Sequence, residues 1–392
     1  MKIAFICTEK LPSPAVKGGA IQLMIDGIAP FISQNHSLTI FSITDCSLPL
    51  TEKSGNIEYI RFPKESYEEN VAAELTKRTF DVIHVFNRPA GLVKYYKEAS
   101  PASAFVLSVH NDMFSPLKIT KELAEQAIEQ STFITTVSEY IKRTITGRYE
   151  LPSDKVEVVY SGIDLEQYVP AWTEKGKKIR KSMRKEWNVA NKKVILFIGR
   201  LAKTKGPHIL IQCMSEVLAC HHDAVLVIVG GKWFSDNGWN DYVEQLHQLA
   251  KPYGEKIIFT NYIPAEKIPP IFLISDVFVC SSQWHEPLAR VHYEAMAAGV
   301  PIITTNRGGN AEVIHHMENG LVIDDYQNIH SFSKAIHFML THREKALQMA
   351  KNGRNYVEEH FSFTHVAARL EAIYRRAYNI VQKIKTGVSH KE

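Results

Sequence analysis

Cysteine is scarce in this chain. There are five, Cys7, Cys46, Cys213, Cys220 and Cys280, an odd number with no CxxC spacing. That excludes a disulfide framework and the common zinc and redox motifs, and leaves reduced core thiols, mostly in apolar strand-like or helical contexts, as in a cytosolic protein. Long apolar runs are missing too, since none approaches the roughly 18 residues that span a bilayer. The amino-terminal MKIAFICTEKLP is broken by Thr8, Glu9 and Lys10, short of the roughly 7 to 15 apolar residues of a signal-peptide core. A cytoplasmic protein without a cleaved leader is the expectation. Neither sign of charge dominates: 46 Lys and Arg against 42 Asp and Glu leave a net +4. That is too little for binding driven by counterion release, so nucleic acid is not an expected partner and any basic site is local. The GxGxxG dinucleotide fingerprint is absent, as are tandem repeats and low-complexity tracts.

The 392 residues, 45% hydrophobic and 22% charged, have the balance of a folded globular chain, and roughly 100 to 200 residues per domain favours two domains. Short apolar, β-branched runs recur at 3–7, 38–43, 81–86, 104–109 and 132–136, then at 194–198, 224–229, 256–259, 276–280 and 301–304. These are buried-strand signals. Amphipathic stretches between them, such as 20–33, 66–78, 206–220 and 239–251, are long enough for helices, and the alternation yields parallel sheets wound by helices. The fold class is therefore α/β.

From Tyr168 to Asn191 the rhythm breaks into a Lys- and Arg-rich segment without a strand, which reads as a linker plus an exposed helix with a solvated basic face. The strands on either side form sets of similar size. The economical architecture is two Rossmann-like lobes meeting at a cleft, with boundaries at 1–167 and 168–363. The strands stop near Asp325, and THVAARLEAIYRRAYNIVQKI has apolar residues at helical spacing, so 364–392 is expected to be a helix returning to the first lobe.

Ligands of open α/β sheets bind beyond the carboxyl ends of strands, where helix amino termini offer free N–H groups. After the first run, Gly18 and Gly19 precede a helix beginning near Ala20. They let backbone amides approach an anion, or they form a plain turn. The first strand of the second lobe leads into GRLAKTKGP, with Arg200 and Lys205 before a helix starting near Gly206. Two cations at a helix amino terminus oppose its dipole unless an anion arrives, and a diphosphate would satisfy both.

The densest segment is 276–314. Glu286 sits in its loop and Glu294 lies eight residues on, inside a helix. Eight residues turn a helix by about 800°, so the two carboxylates lie about two turns apart, within about 80° of one face. They would meet different parts of one ligand, with sugar hydroxyls on a carboxylate and a phosphate on the amides near Leu288, Ala289 and Arg290. The plainer alternative is a helix-start charge at Glu286 and an i,i+4 ion pair from Arg290 to Glu294.

The segment EPLARVHYEAMAAGVPIITTNRGGNAEVI resembles the Glu-x7-Glu signature of the retaining glycosyltransferases of family 4, which have the two-lobed GT-B fold. The likeness extends to Gly18-Gly19, GRLAKTKGP, YSGIDLEQYVP at 160–170 and the ending FSFTHVAARLEAIY, nearly the whole chain, and is closest to the spore-coat-associated branch. It implies that Gly18 and Gly19 contact the donor diphosphate or sugar and that Arg200 and Lys205 clamp the diphosphate. Glu286 would hold hydroxyls of the transferred sugar and Glu294 the nucleotide ribose. His110, in SVHND, matches the family's cleft histidine near the transferred sugar, although a lone strand-end histidine is ordinarily structural.

The expected donor is a nucleoside diphosphate sugar, with uridine the most frequent base of the family. The expected acceptor is a glycan, lipid or protein hydroxyl, and spore-coat proteins are the expected partners. The resemblance implies no metal and no further cofactor. Asp324-Asp325 reads as a surface turn, and His221-His222 and His315-His316 as exposed. Two departures stand out. Pro287-Leu288-Ala289-Arg290 replaces the family's Gly-Phe-Gly-Leu, and His208 stands where an Asp is common, removing a helix-cap acid. The loops at 45–56, 62–70 and 111–120 carry no readable acceptor code. A spore-coat structural protein that keeps the fold without turnover, and an epimerase of the same architecture, are the alternatives.

Overall fold

A computed structural model describes residues 1–152, 154–232 and 238–385. They form two compact units, one made of Met1–Gly162 with the segment from Phe363 onward and the other of Ile163–Ser362. The last part of the expected carboxyl-terminal segment, 386–392, lies outside the described residues.

The first unit carries strands β1 (Lys2–Ile6), β2 (Ser37–Ile43), β3 (Thr51–Ser54), β4 (Ile57–Phe62), β5 (Val82–Phe86), β6 (Ala104–Val109), β7 (Phe133–Thr136) and β8 (Val156–Val158). They pair in the order β3-β4-β2-β1-β5-β6-β7-β8, parallel except where β3 runs against β4. The order reverses direction at β1, so the crevice between β1 and β5 is a topological switch point. Strand alternation sorts β1 onto two faces: Ile3 and Phe5 pack with the helix Ala20–Asn35, while Ala4 and Ile6 join the core that holds Tyr67, Val71 and Leu92 of the opposite helices.

The helix Phe363–Lys385 covers the first of these faces with Val366, Leu370, Ile373, Tyr374 and Ala377, the helical spacing read in the sequence. Its Tyr374 hydroxyl lies 2.6 Å from Nδ1 of His84, whose Nε2 meets Ser108, which in turn meets Thr135 at 2.6 Å. This buried polar line ties the helix to β5, β6 and β7. Burial pushes the His84 imidazole well below its ordinary pKa, with the nearby His110 adding to the effect, so the ring stays neutral.

The second unit carries β9 (Lys193–Ile198), β10 (Ala224–Val229), β11 (Ile257–Phe259), β12 (Val277–Cys280), β13 (Ile302–Thr305) and β14 (Leu321–Ile323). They pair in the order β11-β10-β9-β12-β13-β14, every neighbour parallel, with the switch point between β9 and β12. Ile195 and Phe197 pack with Leu210, Met214 and Val217 of the helix Pro207–Cys220 and with Phe332 and Ile336 of the helix Ile329–Thr341. The α/β reading thus holds in both units.

Four strands lay outside the ten apolar runs. β3 is the exposed tetrapeptide TEKS, inside a stretch expected to be loop, β8 and β14 are three residues each, and β4 mixes charge into IEYIRF. The helix Tyr67–Lys77 fills the helical stretch expected at 66–78 and takes the end of the loop expected at 62–70. The basic segment also needs correcting. Its helix, Glu174–Glu186, is capped by Thr173, and it is not simply a solvated face. Arg184 is buried and, with Arg180, reaches Asp276 at 3.1 and 2.7 Å as well as the carbonyls of Leu273, Ile274 and Ser275. Asp276 also accepts from the Val194 amide at 2.8 Å, so one carboxylate joins this helix to the amino ends of β9 and β12.

All five cysteines are free, but only Cys7, Cys213 and Cys280 lie in the core; Cys46 and Cys220 are exposed, against the expected core placement. No helix among the described residues is long and apolar enough to cross a membrane. Replacing Asp276 with Ala would leave the buried Arg184 guanidinium without its carboxylate. We expect a loss of about 3 to 5 kcal/mol in urea unfolding, and a loss under about 1 kcal/mol would contradict this role.

Candidate functional site

The loops beyond β9 and β12 meet at the switch point of the second unit. The loop after β9 ends in a 3-10 turn, Lys203–Lys205, and reaches the helix Pro207–Cys220 through Gly206 at φ +72°. A Cβ on Gly206 would stand 2.1 Å from the Ser281 carbonyl oxygen, so only glycine permits this approach. Ser281 Oγ donates to the Lys205 and Gly206 carbonyls at 3.1 and 3.0 Å, and the Gln283 amide donates to Thr204 O at 2.8 Å. The zipped backbones bring the Lys205 ammonium onto the Glu286 carboxylate in a direct ion pair.

Glu286 is 3% exposed and also accepts from Ser282 Oγ at 2.7 Å. Its backbone is held by the Gly-rich loop after β13: the Gly309 amide donates to Glu286 O at 2.8 Å, and a Cβ on Gly308, at φ +65°, would lie 1.9 Å from that oxygen. Burial pushes the Glu286 carboxyl upward, but the Lys205 charge and hydrogen bonds from Lys205, Trp284 and Ser282 outweigh it and hold the pKa below the ordinary value. The carboxylate is therefore ionised at neutral pH.

Arg200 lies half-buried at the start of the same loop. Leu288 is half-buried, and the Ala289 amide, one of those expected to face a phosphate, donates to Asn310 Oδ1 at 3.2 Å. Arg290 stands at the amino end of the helix Val291–Ala297 and pairs with Glu294 at 3.2 Å, so the plainer i,i+4 pair is realised. Burial raises the Glu294 pKa against the opposing effect of Arg290. The helix Pro207–Cys220 has no side-chain cap, and His208 Nδ1 instead meets the Tyr242 hydroxyl at 2.7 Å.

The sequence reading missed Ser282, Gln283 and Asn310. Gln283 Nε2 donates to Ser281 O and Tyr326 O, both at 2.8 Å. Asn310 is wholly buried, with Nδ2 lacking a hydrogen-bond acceptor among the described residues. The available signal was the polar run SSQ at the carboxyl end of an apolar strand beside the switch point.

In the first unit, Gly18 (φ +73°) and Gly19 (φ +103°) end the loop after β1 and precede the helix Ala20–Asn35. Asp26 of that helix holds the loop, accepting from the Ala15 amide at 2.6 Å and Ser13 Oγ at 3.1 Å, while Gln22 Nε2 donates to Leu11 O at 3.1 Å. Across the switch point, Arg88 after β5 forks onto Glu9 after β1 with two bonds of 2.6 Å. His110 ends β6, its amide donating to Asn87 Oδ1 at 2.9 Å. Its Nε2 is buried without a partner among the described residues, and burial lowers its pKa to about 4, so the imidazole is neutral at pH 7.

Asp324 and Asp325 form an exposed turn, with Asp324 accepting from Asn306 at 2.8 Å and Asp325 from Asn328 at 2.9 Å. Among the described residues no group of three or more His, Cys, Asp or Glu could hold a metal ion. His222, His315 and His316 are exposed, but His221 is not: it is buried, with Nδ1 3.0 Å from Lys193 Nζ and its ring against His337. An exposed reading was natural for a His-His pair at a helix end, yet the first member turns inward.

Two parallel-sheet α/β units, each with loops gathered at a switch point, are the lobes of the GT-B class. The family described as "Glycosyl transferases group 1" matches residues 179–356, and "Glycosyltransferase Family 4" matches residues 52–167. YtcC of Bacillus subtilis (strain 168) is 57% identical over 96% of this chain and 92% of its own length. Spore coat protein SA of the same strain is 46% identical over 96% of this chain and 100% of its own length. The crystal structure of Anabaena Alr3699/HepE in complex with UDP and glucose matches with a TM-score of 0.76 at 21% identity, over 95% of this chain and 99% of that one, a likeness of fold. The chain belongs to the group 1, family 4 glycosyltransferases with the GT-B fold.

Because the folded pKa of Glu286 is depressed, its contribution to stability is present above the ordinary carboxyl value of 4.5 and is lost as pH falls through the folded value. Melting profiles should show a steeper acid loss for the wild type than for Glu286→Gln, and parallel profiles would contradict an ionised, paired Glu286. Gly308→Ala should cost at least about 2 kcal/mol in urea unfolding, through backbone clash and left-handed strain, and a neutral substitution would mean that the loop does not need this approach.

Proposed function

We propose that this protein transfers a hexose unit from a uridine diphosphate sugar to an acceptor hydroxyl with retention of the anomeric configuration, in the formation of a spore-coat or cell-surface glycan. The observation that carries the proposal is the Lys205–Glu286 pair, a cation and an ionised carboxylate side by side at the β9/β12 switch point. Such a crevice suits a ligand with a diphosphate at one end and sugar hydroxyls at the other.

In this reading Lys205, Arg200 and backbone amides at the loop ends, including those of Leu288, Ala289 and Arg290, bind the diphosphate. Gly18 and Gly19 approach it from the first lobe. Negative charge grows on the diphosphate as the bond to the anomeric carbon breaks. Fixed cations and amides stabilise that charge, each well-placed donor by about 3 to 4 kcal/mol. Glu286 accepts from hydroxyls of the transferred sugar and Glu294 from the ribose. His110, neutral and with a buried ring nitrogen to offer, meets the sugar.

No side chain in this set is placed as a nucleophile. The acceptor oxygen therefore bonds the anomeric carbon on the face the diphosphate leaves, and the acceptor proton passes to a diphosphate oxygen. The cations take the part a metal plays elsewhere, so the reaction proceeds without one. The complex of UDP and glucose with a protein of the same fold supports the donor class. The acceptor is a glycan, lipid or protein, met in the cytoplasm.

A second reading is favoured by the 46% identity to Spore coat protein SA: a coat component that binds the donor without turning it over. UDP release from UDP-sugars by the purified protein separates the two. We expect turnover that persists in EDTA and falls by at least about a hundredfold in Lys205→Ala, in protein that circular dichroism shows to be folded although its melting temperature drops, because Glu286 loses its cation. Donor binding without turnover in the wild type favours the coat component, and full activity of the variant contradicts the clamp.

A further inference from the structure

At the amino ends of β9 and β12, the pole of the sheet opposite the switch point, the second unit has a cavity of about 450 Å³, within the usual size range of small-ligand pockets. Seven cationic side chains line it against two carboxylates, Asp223 and Asp276. Arg180 and Arg184 share Asp276, and Lys193 divides its contacts between Asp223 at 3.5 Å and His221 at 3.0 Å. Lys181, Lys192 and Arg343 have no carboxylate partner among the described residues, yet they line the same cavity. Gathering uncompensated cations around one hollow is unfavourable by mutual repulsion, and a bound anion removes that cost.

We propose that this cavity is a binding site for a small phosphate-bearing ligand, separate from the switch-point crevice. The three unpaired cations supply the charge, and Arg180 and Arg184, held by Asp276 and backbone carbonyls, form its fixed wall. The six residues of β9 place it on the order of 20 Å from the Lys205 loop. One molecule therefore does not fill both sites. A volume of about 450 Å³ matches a compact ligand better than a membrane surface or a polymer. The proposal is independent of glycosyl transfer.

The test is calorimetric titration of inorganic pyrophosphate into the full chain at physiological ionic strength, with UDP at saturation to occupy the crevice. Wild-type protein should bind with about one site. The combined Lys181→Glu, Lys192→Glu and Arg343→Glu variant should bind at least tenfold more weakly, and the corresponding Gln variant should fall between, with circular dichroism and melting unchanged. If the Glu variant misfolds, the Gln variant carries the comparison. No binding to the wild type, or equal binding to wild type and variants, overturns the proposal. So does charge-dependent binding to phosphatidylglycerol vesicles without pyrophosphate binding, which would assign the patch to a membrane. Glycosyl transfer need not occur for any of these outcomes to be read.

Discussion

A carboxylate that is 3% exposed is tolerable only if it is paired and hydrogen-bonded, because its isolated desolvation costs several kcal/mol. Glu286 sets this constraint, and the surrounding backbone answers it. Lys205 must arrive from another loop, which requires the left-handed turn at Gly206 and the bare approach to Ser281. The Glu286 backbone must be held, which requires the bare Gly308 and the backbone amide of Gly309 from a third loop. Three strand ends are thus bound to one charge. A ligand that engaged Glu286 or Lys205 would have to exchange its own polar groups for this ion pair, and that requirement underlies the donor proposed above.

The two units meet the same topological problem with opposite polarity. In the first, the acid Glu9 follows the leading strand and the base Arg88 follows the strand across the switch; in the second, Lys205 comes first and Glu286 after. Parallel sheets leave the carboxyl ends of strands as loops, and at a switch point adjacent helices diverge to opposite faces, so those loops have no helix packed between them. An ion pair joins them without filling the crevice. At the other pole of the second unit, Asp276 joins the basic helix to β9 and β12, so the sheet is anchored by charge at both ends and by hydrocarbon in between.

Membership of the glycosyltransferase family accounts for the two parallel-sheet units. It does not by itself account for the cations at the opposite pole, four of which, Lys177, Arg180, Lys181 and Arg184, belong to a helix that composition alone would assign to solvent.

The amino-acid sequence by itself determined the fold class, because apolar β-branched runs alternating with amphipathic stretches leave few arrangements other than wound parallel sheets. It also marked the carboxyl-terminal helix, whose apolar spacing is local, and the loops that carry Lys205 and Glu286, because glycine and charge beside a buried strand are conspicuous. It missed β3, whose TEKS has no hydrophobic pattern and pairs only because β4 lies beside it, and it misjudged Arg184 and His221, whose burial depends on residues 90 or more positions away or on a neighbouring helix. Long-range folding alone set that Lys205 pairs with Glu286 and that Asn310 occupies the Ala289 amide, whereas the Arg290–Glu294 pair, four residues apart, was already one of two alternatives legible in the sequence. Periodicity reports which face a residue takes, whereas pairing between charges depends on how separate loops are folded against one another, and that is set by backbone contacts far apart in the chain.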